Sequence, residues 1–163
     1  MARTELDRAV QPSLLDRLTD EAPREPGDRP TSREASERAY RRGVQRDVEW
    51  LLNTRRSIVP IPVGVKEVVH SVHEFGVPDT TGLSIGTGEG QKRLTADIRD
   101  TLERFEPRLT NVQVRLTDSD QVSTPQVRFV IEATLRMDPS PEQVVFDTVL
   151  EISSGTYDVA ERA

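Results

Sequence analysis

The sequence predicts an α+β fold in which three helices pack on an antiparallel β-meander of about four strands, preceded by a flexible N-terminal tail. Two observations support this prediction. Apolar residues recur at helical spacing up to about residue 105, and from about residue 112 they alternate with polar residues, as in strands buried on one face. Helices followed by a meander are typical of a domain whose helices cover one sheet face.

Length, charge and residue types narrow the class of protein. The chain has 163 residues, no cysteine and a formal net charge of −6. This fits one domain and excludes disulfides and thiolate metal sites. No apolar run approaches the ~20 residues of a membrane span, and the first residues lack the pattern of a signal peptide. We therefore expect a cytoplasmic protein that neither inserts into a membrane nor, given its acidic total, binds nucleic acid.

Residues 1–31 are predicted to form the flexible tail, because prolines and charged residues dominate 21–30. Before that stretch, Pro12 and Ser13 are typical of a helix start. The short helix that follows would place three leucines on one face, Leu14, Leu15 and Leu18. Such a helix either docks in a partner's groove or packs on its own domain, and the pattern leaves both open.

The domain itself, residues 32–163, begins with a long helix. Thr31 and Glu34 are spaced as a capping box, so the helix should start near Thr31–Ser32, and it should run to about Thr54. Its apolar stripe consists of Tyr40, Val44, Val48, Leu51 and Leu52.

Two more helices are expected before the sheet. The second spans roughly 64–75 with Gly76 as its C-cap, and the third spans about 90–105 after a glycine-rich loop. The apolar face of the second is Val65, Val68, Val69, Val72 and Phe75. That of the third is Leu94, Ile98, Leu102 and Phe105.

Four segments have the alternation of strands. They are centred on Val112–Leu116, Val127–Met137, Val144–Ile152 and the short stretch after Gly155. The turn signals between them predict an antiparallel meander.

No motif indicates a catalytic site, a cofactor or a metal. His70 and His73 are close enough to share a metal, but no third ligand stands at a helpful spacing. The glycines from Gly86 to Gly90 lack the strand and the ending of a phosphate-binding loop. A pair of carboxylates could support glycoside hydrolysis, but such pairs arise by chance in a chain with 28 acidic residues.

Two segments are too specific for ordinary surface. The first, EWLLNTRR, contains the only tryptophan and ends the first helix on two arginines. The second, Glu106–Pro107–Arg108, ends the third helix at a rigid turn flanked by opposite charges. Each is either a helix terminus that serves the fold or a surface offered to a partner.

These motifs, with SLLDRLTD, FGVPD (75–79) and FDTVL (146–150), resemble the TssE family over about residues 13–160. TssE proteins are baseplate wedge subunits of bacterial type VI secretion systems and are related to lysozyme-like wedge proteins of contractile-tail phages. WLLNTRR favours the secretion branch, whereas the Glu-Pro-Arg turn is shared more widely.

The resemblance implies a non-enzymatic subunit that joins TssF, TssG and other baseplate proteins. It also implies that the subunit templates the first ring of contractile sheath subunits by strand addition, in a baseplate docked at the inner membrane. The implied wedge contacts are the turn residues Glu106, Pro107 and Arg108, with Arg108→Glu expected to fold but not to bind. Further implied contacts are Glu49, Trp50, Asn53, Arg55, Arg56, Leu14, Leu15 and Leu18. A peptidoglycan-cleaving enzyme and a prophage tail protein are the alternatives.

Overall fold

The predicted α+β fold class is confirmed by a computed structural model, which describes residues 9–19, 32–79, 87–117 and 126–162. The helices are α1 (Leu14–Leu18), α2 (Arg33–Asn53) and α3 (Gly88–Phe105). The strands are β1 (Leu109–Thr117), β2 (Gln126–Leu135), β3 (Glu142–Glu151) and β4 (Thr156–Glu161). Neighbouring strands pair antiparallel in chain order, so the sheet is the predicted meander.

The ends of α2 and α3 lie within a few residues of their predicted positions. Ser32 is the N-cap of α2, and its side chain accepts a hydrogen bond from the Ala35 N–H at 3.2 Å. The predicted cap partner Thr31 lies outside the described residues. Helix α2 ends at Asn53 with Thr54 as its C-cap, and α3 starts after the N-cap Thr87.

The predicted helix at 64–75 is wrong. The chain forms two short 3-10 helices instead, Glu67–His70 and Val72–Glu74, separated by Ser71. The Ser71 hydroxyl accepts from the His73 N–H and so starts a new turn. The valines lower helix propensity, and Val72 is 89% exposed, so the apolar spacing there does not mark a buried face.

Gly76, the predicted C-cap, has a different task. The second 3-10 helix ends with Phe75 as its cap, and Gly76 follows with φ +103°. A Cβ on Gly76 would lie 2.3 Å from the Thr54 carbonyl oxygen. Glycine therefore allows this segment to approach the end of α2, where Arg55 and Val77 form a parallel bridge.

One hydrophobic core lies between the helices and one face of the sheet, with α3 over β1 and α2 along β4. Its largest fully buried side chains include Tyr157, Phe129, Phe146, Leu52, Leu94, Ile98 and Leu102. In β1 the register shifts between Thr110 and Gln113, where Asn111 has a positive φ of 54°. Among the described helices, none combines the length and the apolar character needed to cross a bilayer.

Candidate partner-binding site

Three of the segments implicated by sequence line one groove. The groove has a volume of about 390 Å³ and a mainly apolar lining. It lies between α1, the second half of α2 and the turn that follows α3. Its lining residues are Ser13, Leu15, Asp47, Trp50, Leu51, Phe75, Phe105, Glu106, Pro107 and Arg108.

The Glu-Pro-Arg turn presents its three residues differently. Glu106 is the C-cap of α3, its backbone N–H donates to the Leu102 carbonyl at 2.9 Å, and it is 4% exposed. Pro107 is exposed, and Arg108 is partly buried. Only the proline ring is therefore fully offered to solvent, while the charged residues on either side of it point back toward the fold.

Arg108 holds this turn to α2. Its Nε donates to Glu106 Oε1 at 2.6 Å and its Nη2 to Glu106 Oε2 at 2.5 Å, while Nη2 also donates to Asp47 Oδ2 at 2.7 Å. Burial alone would lower the pKa of Arg108, but the hydrogen bonds to both carboxylates raise it above its usual value. We call Glu106, Arg108 and Asp47 the turn brace.

The brace changes the expectation for one variant. Arg108→Glu would place three carboxylates together, so this variant should lose stability rather than fold normally.

The charged contacts continue from the brace to α1. Asp47 Oδ1 also accepts a hydrogen bond from Arg46 Nη2 at 2.7 Å. The same Arg46 nitrogen forms an ion pair with Asp16 Oδ1 at 2.9 Å. Burial would raise the pKa of Asp16, but hydrogen bonds from Ser13 and Arg46 outweigh it and hold this pKa below its usual value.

We did not predict Asp16, Arg46 or Asp47 from the sequence. Asp47 lies one helical turn before Trp50, and that i, i+3 spacing was the available signal. Nothing local pairs it with Arg108, which is 61 residues away in sequence.

Helix α1 lies against α2 through its polar side. A Cβ on Gly43 would lie 3.1 Å from Asp16 Oδ2, so the absence of a side chain there leaves room for α1. Before α1, the Val10 N–H donates to Ser36 Oγ at 2.9 Å, and Val10 is buried. The leucines face away from this contact: Leu14, Leu15 and Leu18 are 70%, 55% and 76% exposed. Helix α1 thus packs in cis while its apolar face stays open.

The tryptophan of EWLLNTRR is on the surface. Trp50 is 62% exposed and lines the groove, whereas Leu51 and Leu52 belong to the core. Glu49 is partly buried beside it, and its carbonyl accepts from Asn53 Nδ2 at 2.9 Å.

The rest of EWLLNTRR binds the chain itself. Asn53 bonds both backbone groups of Tyr157 in β4, at 2.8 and 2.9 Å. Arg55 donates to the Gly155 carbonyl at 2.5 Å, with its guanidinium 5.6 Å from the Tyr157 ring centroid. Arg56 Nη1 lies 3.6 Å from Glu74 Oε2. These three side chains stabilise the end of α2, although Asn53 and Arg55 are themselves exposed. Trp50 is the large apolar side chain that the segment exposes.

A second, more polar cavity of about 190 Å³ lies near Arg56, Glu74 and Arg104. Glu74 Oε2 lies 3.6 Å from each of the two guanidinium groups, so one carboxylate is shared between two cations. Among the described residues, no three or more histidine, aspartate or glutamate side chains are grouped so that they could hold a metal ion.

A comparison with protein families identifies the chain's relatives. The model of a family described as baseplate wedge protein gp25 matches residues 38–140, more than half of the chain. The chain belongs to this family. The family includes TssE and the gp25-like proteins of phages, as the sequence resemblance implied.

The matched part of this baseplate wedge protein includes most of α2, the turn brace and the first two strands. Helix α1, with its exposed leucines, lies before it. Searches among curated proteins and among solved structures gave no match. Membership supports a structural role in a baseplate in association with other baseplate proteins.

Proposed function

We propose that this protein is a baseplate subunit of a type VI secretion system that joins TssF and TssG in the wedge and templates the first ring of the contractile sheath. The family contains both secretion and phage proteins, and the WLLNTRR resemblance favours the secretion branch. In this role the protein works in the cytoplasm, in a baseplate docked at the inner membrane, and catalyses no reaction.

The observation that carries the wedge contact is the convergence of three separate segments on one groove. Leu15, Trp50 and Pro107 come from α1, α2 and the turn after α3, and all three line it. Exposed tryptophan beside an apolar groove is typical of residues that dominate binding energy at protein interfaces. The turn brace holds the turn to α2, and Arg46 holds α1 to α2 through Asp16, so the groove is formed before a partner arrives.

Five polar or charged residues of the implied contact set then act indirectly. Glu106 and Arg108 position Pro107, and Asn53 fixes the end of the helix that carries Trp50. Arg55 and Arg56 support the same helix end through Gly155 and Glu74. The direct contacts we propose are Trp50, Pro107 and the leucines of α1.

Co-purification with TssF and TssG tests the wedge contact. Trp50→Ala should bind these subunits at least tenfold more weakly, because a large apolar anchor is lost. Its melting temperature should stay close to that of the wild type, since the side chain is mostly exposed. Ile152→Ala, which removes an apolar side chain that is 42% exposed and outside the groove lining, is the matched control and should bind normally. Equal binding by both variants would refute the groove as the wedge contact.

Gene context and an activity assay separate the alternatives. A secretion subunit should be encoded beside sheath and inner-membrane-complex genes, whereas a prophage protein should lie among tail genes. A cell-wall turbidity assay addresses the enzymatic alternative. Clearing that a single Glu→Gln change abolishes would overturn the structural function.

A further inference from the structure

The two edge strands of the sheet, β1 and β4, differ in whether their outward backbone groups have hydrogen-bond partners. Those of β4 are bonded by side chains of α2. Asn53 donates to the Tyr157 carbonyl at 2.8 Å and accepts from the Tyr157 N–H at 2.9 Å. Gln45 donates to the Val159 carbonyl at 2.8 Å. Side chains of α2 thus occupy the outward backbone groups that an added strand would need at this edge.

The alternation of backbone hydrogen bonds identifies the corresponding groups of β1. The Arg136 N–H donates to the Arg108 carbonyl at 2.7 Å. Because successive residues of a strand point their backbone groups to opposite sides, the even-numbered residues of β2 point theirs toward β1. Gln113 and Arg115 lie opposite Glu132 and Val130, and they therefore bond inward.

The residues between and beyond these point their N–H and C=O groups outward: Val112, Val114 and Leu116. Among the hydrogen bonds of the described residues, none reaches these outward groups. The same alternation places Tyr157 and Val159 outward in β4, where α2 covers them.

A groove of about 320 Å³ runs beside the open edge, between β1 and α3. Thr95 and Ala96 are its small residues, next to Val112 and Val114. Its charged residues are all basic, Lys92, Arg99 and Arg115. Arg99 pairs with Asp100 at 3.0 Å and Arg115 with Glu132 at 3.2 Å, but both pairs are exposed, so water screens them.

We propose that β1, and not β4, is the edge that accepts the sheath strand, and that this strand alternates apolar and acidic residues. The inference rests on the proposed function for the identity of the partner. Side chains opposite Val114 would enter the groove under α3, because Val114 itself packs against the core. Acidic side chains of the incoming strand would lie on the opposite, outer face beside Arg115. Lys92 and Arg99 add positive charge at the rim of the groove and so attract an acidic strand.

Amide hydrogen exchange on the full chain, followed by NMR, tests the edge directly. In the free protein the Val114 N–H should exchange much faster than the N–H groups of Arg115 and Tyr157, which have acceptors. A ten-residue peptide of alternating valine and glutamate is the probe. It should slow exchange at Val112, Val114 and Leu116 at least fivefold, and a valine–lysine peptide should not.

A proline in each edge gives a matched pair of variants. Val114→Pro removes an outward N–H without breaking a bond to β2, and it should weaken binding of the valine–glutamate peptide at least tenfold. Val159→Pro removes the equivalent N–H from β4 and should leave binding unchanged. Protection of β4 by the peptide, a slowly exchanging Val114 N–H in the free chain, or equal binding by both variants would overturn the proposal.

Two charge-reversal variants of α3 provide a second test if a proline variant does not fold. Arg99 lines the groove and Arg93 does not, and both are exposed. Arg99→Glu should weaken peptide binding at least threefold, whereas Arg93→Glu should not, and equal effects would contradict the groove.

Self-association is a separate outcome. A concentration-dependent dimer that Val114→Pro dissolves would show that a second copy of the chain occupies the edge, and it would overturn the assignment to the sheath. Wild-type protein that binds the peptide at β1 but does not bind sheath subunits would refute the proposed function while supporting the edge.

Discussion

Two arginines of the chain each donate two hydrogen bonds to one carboxylate in the same forked geometry, but the two pairs differ in their exposure to solvent. Arg108 reaches Glu106 at 2.6 and 2.5 Å, and Arg162 reaches Asp147 at 2.9 and 2.5 Å. The first pair has side chains only 20% and 6% exposed, against 55% and 47% for the second. Water screens the exposed pair, whereas removal of one partner from the buried pair leaves an unsolvated charge. Surroundings rather than geometry should decide what each pair contributes to stability.

The largest effect is expected at the buried pair. Arg108→Ala leaves Glu106 and Asp47 without their shared partner and should lower the free energy of unfolding by about 3 kcal/mol. Urea unfolding followed by circular dichroism measures this. A variant as stable as the wild type would show that the brace does not hold the turn. Arg108→Lys keeps the charge without the forked geometry and should recover only part of the loss.

Tyr157 extends the comparison to a buried polar group that no described residue pairs. Its hydroxyl has no hydrogen-bond partner among the described residues, and burial raises its pKa to about 12. Because this pKa is raised above the unfolded value of about 10, the wild type should lose stability as the pH rises from about 10 to 12.

Tyr157→Phe should remove most of that alkaline loss and change stability at pH 7 by no more than about 1 kcal/mol. Chemical unfolding at a series of pH values provides the measurement. Burial also raises the pKa of Tyr40, so a smaller alkaline loss should remain. An unchanged alkaline profile would mean that Tyr157 titrates normally in the folded chain.

The smallest effect is expected at the exposed pair. Arg162→Ala removes the forked contact with Asp147, yet the urea midpoint should not move measurably, because water solvates the remaining carboxylate. A loss as large as that of Arg108→Ala would break the comparison, since the two pairs would then be equivalent despite their different exposure.

The sequence predicted the structural features that depend on local periodicity. Strand alternation and the buried stripes of α2 and α3 place the core correctly, because each face is set by residues near one another in the chain. The segment 64–75 shows the limit of this signal. Valines at helical spacing met the pattern there, but Ser71 interrupts the turn and Val72 is exposed.

The segments that line the candidate site could be predicted from the sequence, but the role of each residue in them could not. EWLLNTRR and Glu-Pro-Arg were selected for their residue types, and both reach one groove. Whether an arginine serves a partner or its own fold depends on long-range contacts, such as that of Arg108 with Asp47 or of Arg55 with Gly155. No spacing in the sequence encodes those pairs.

The contact between Asn53 and Tyr157 also determines how the sheet is aligned. The side-chain amide offers one donor and one acceptor to a single residue of β4, as a neighbouring strand would. A slip of β4 by one residue would turn those backbone groups toward β3 and would move the Tyr157 ring from the core to solvent. The end of α2 therefore favours one register of a strand that lies 104 residues later in the chain, and Asn53 is the reference point for the alignment of β4.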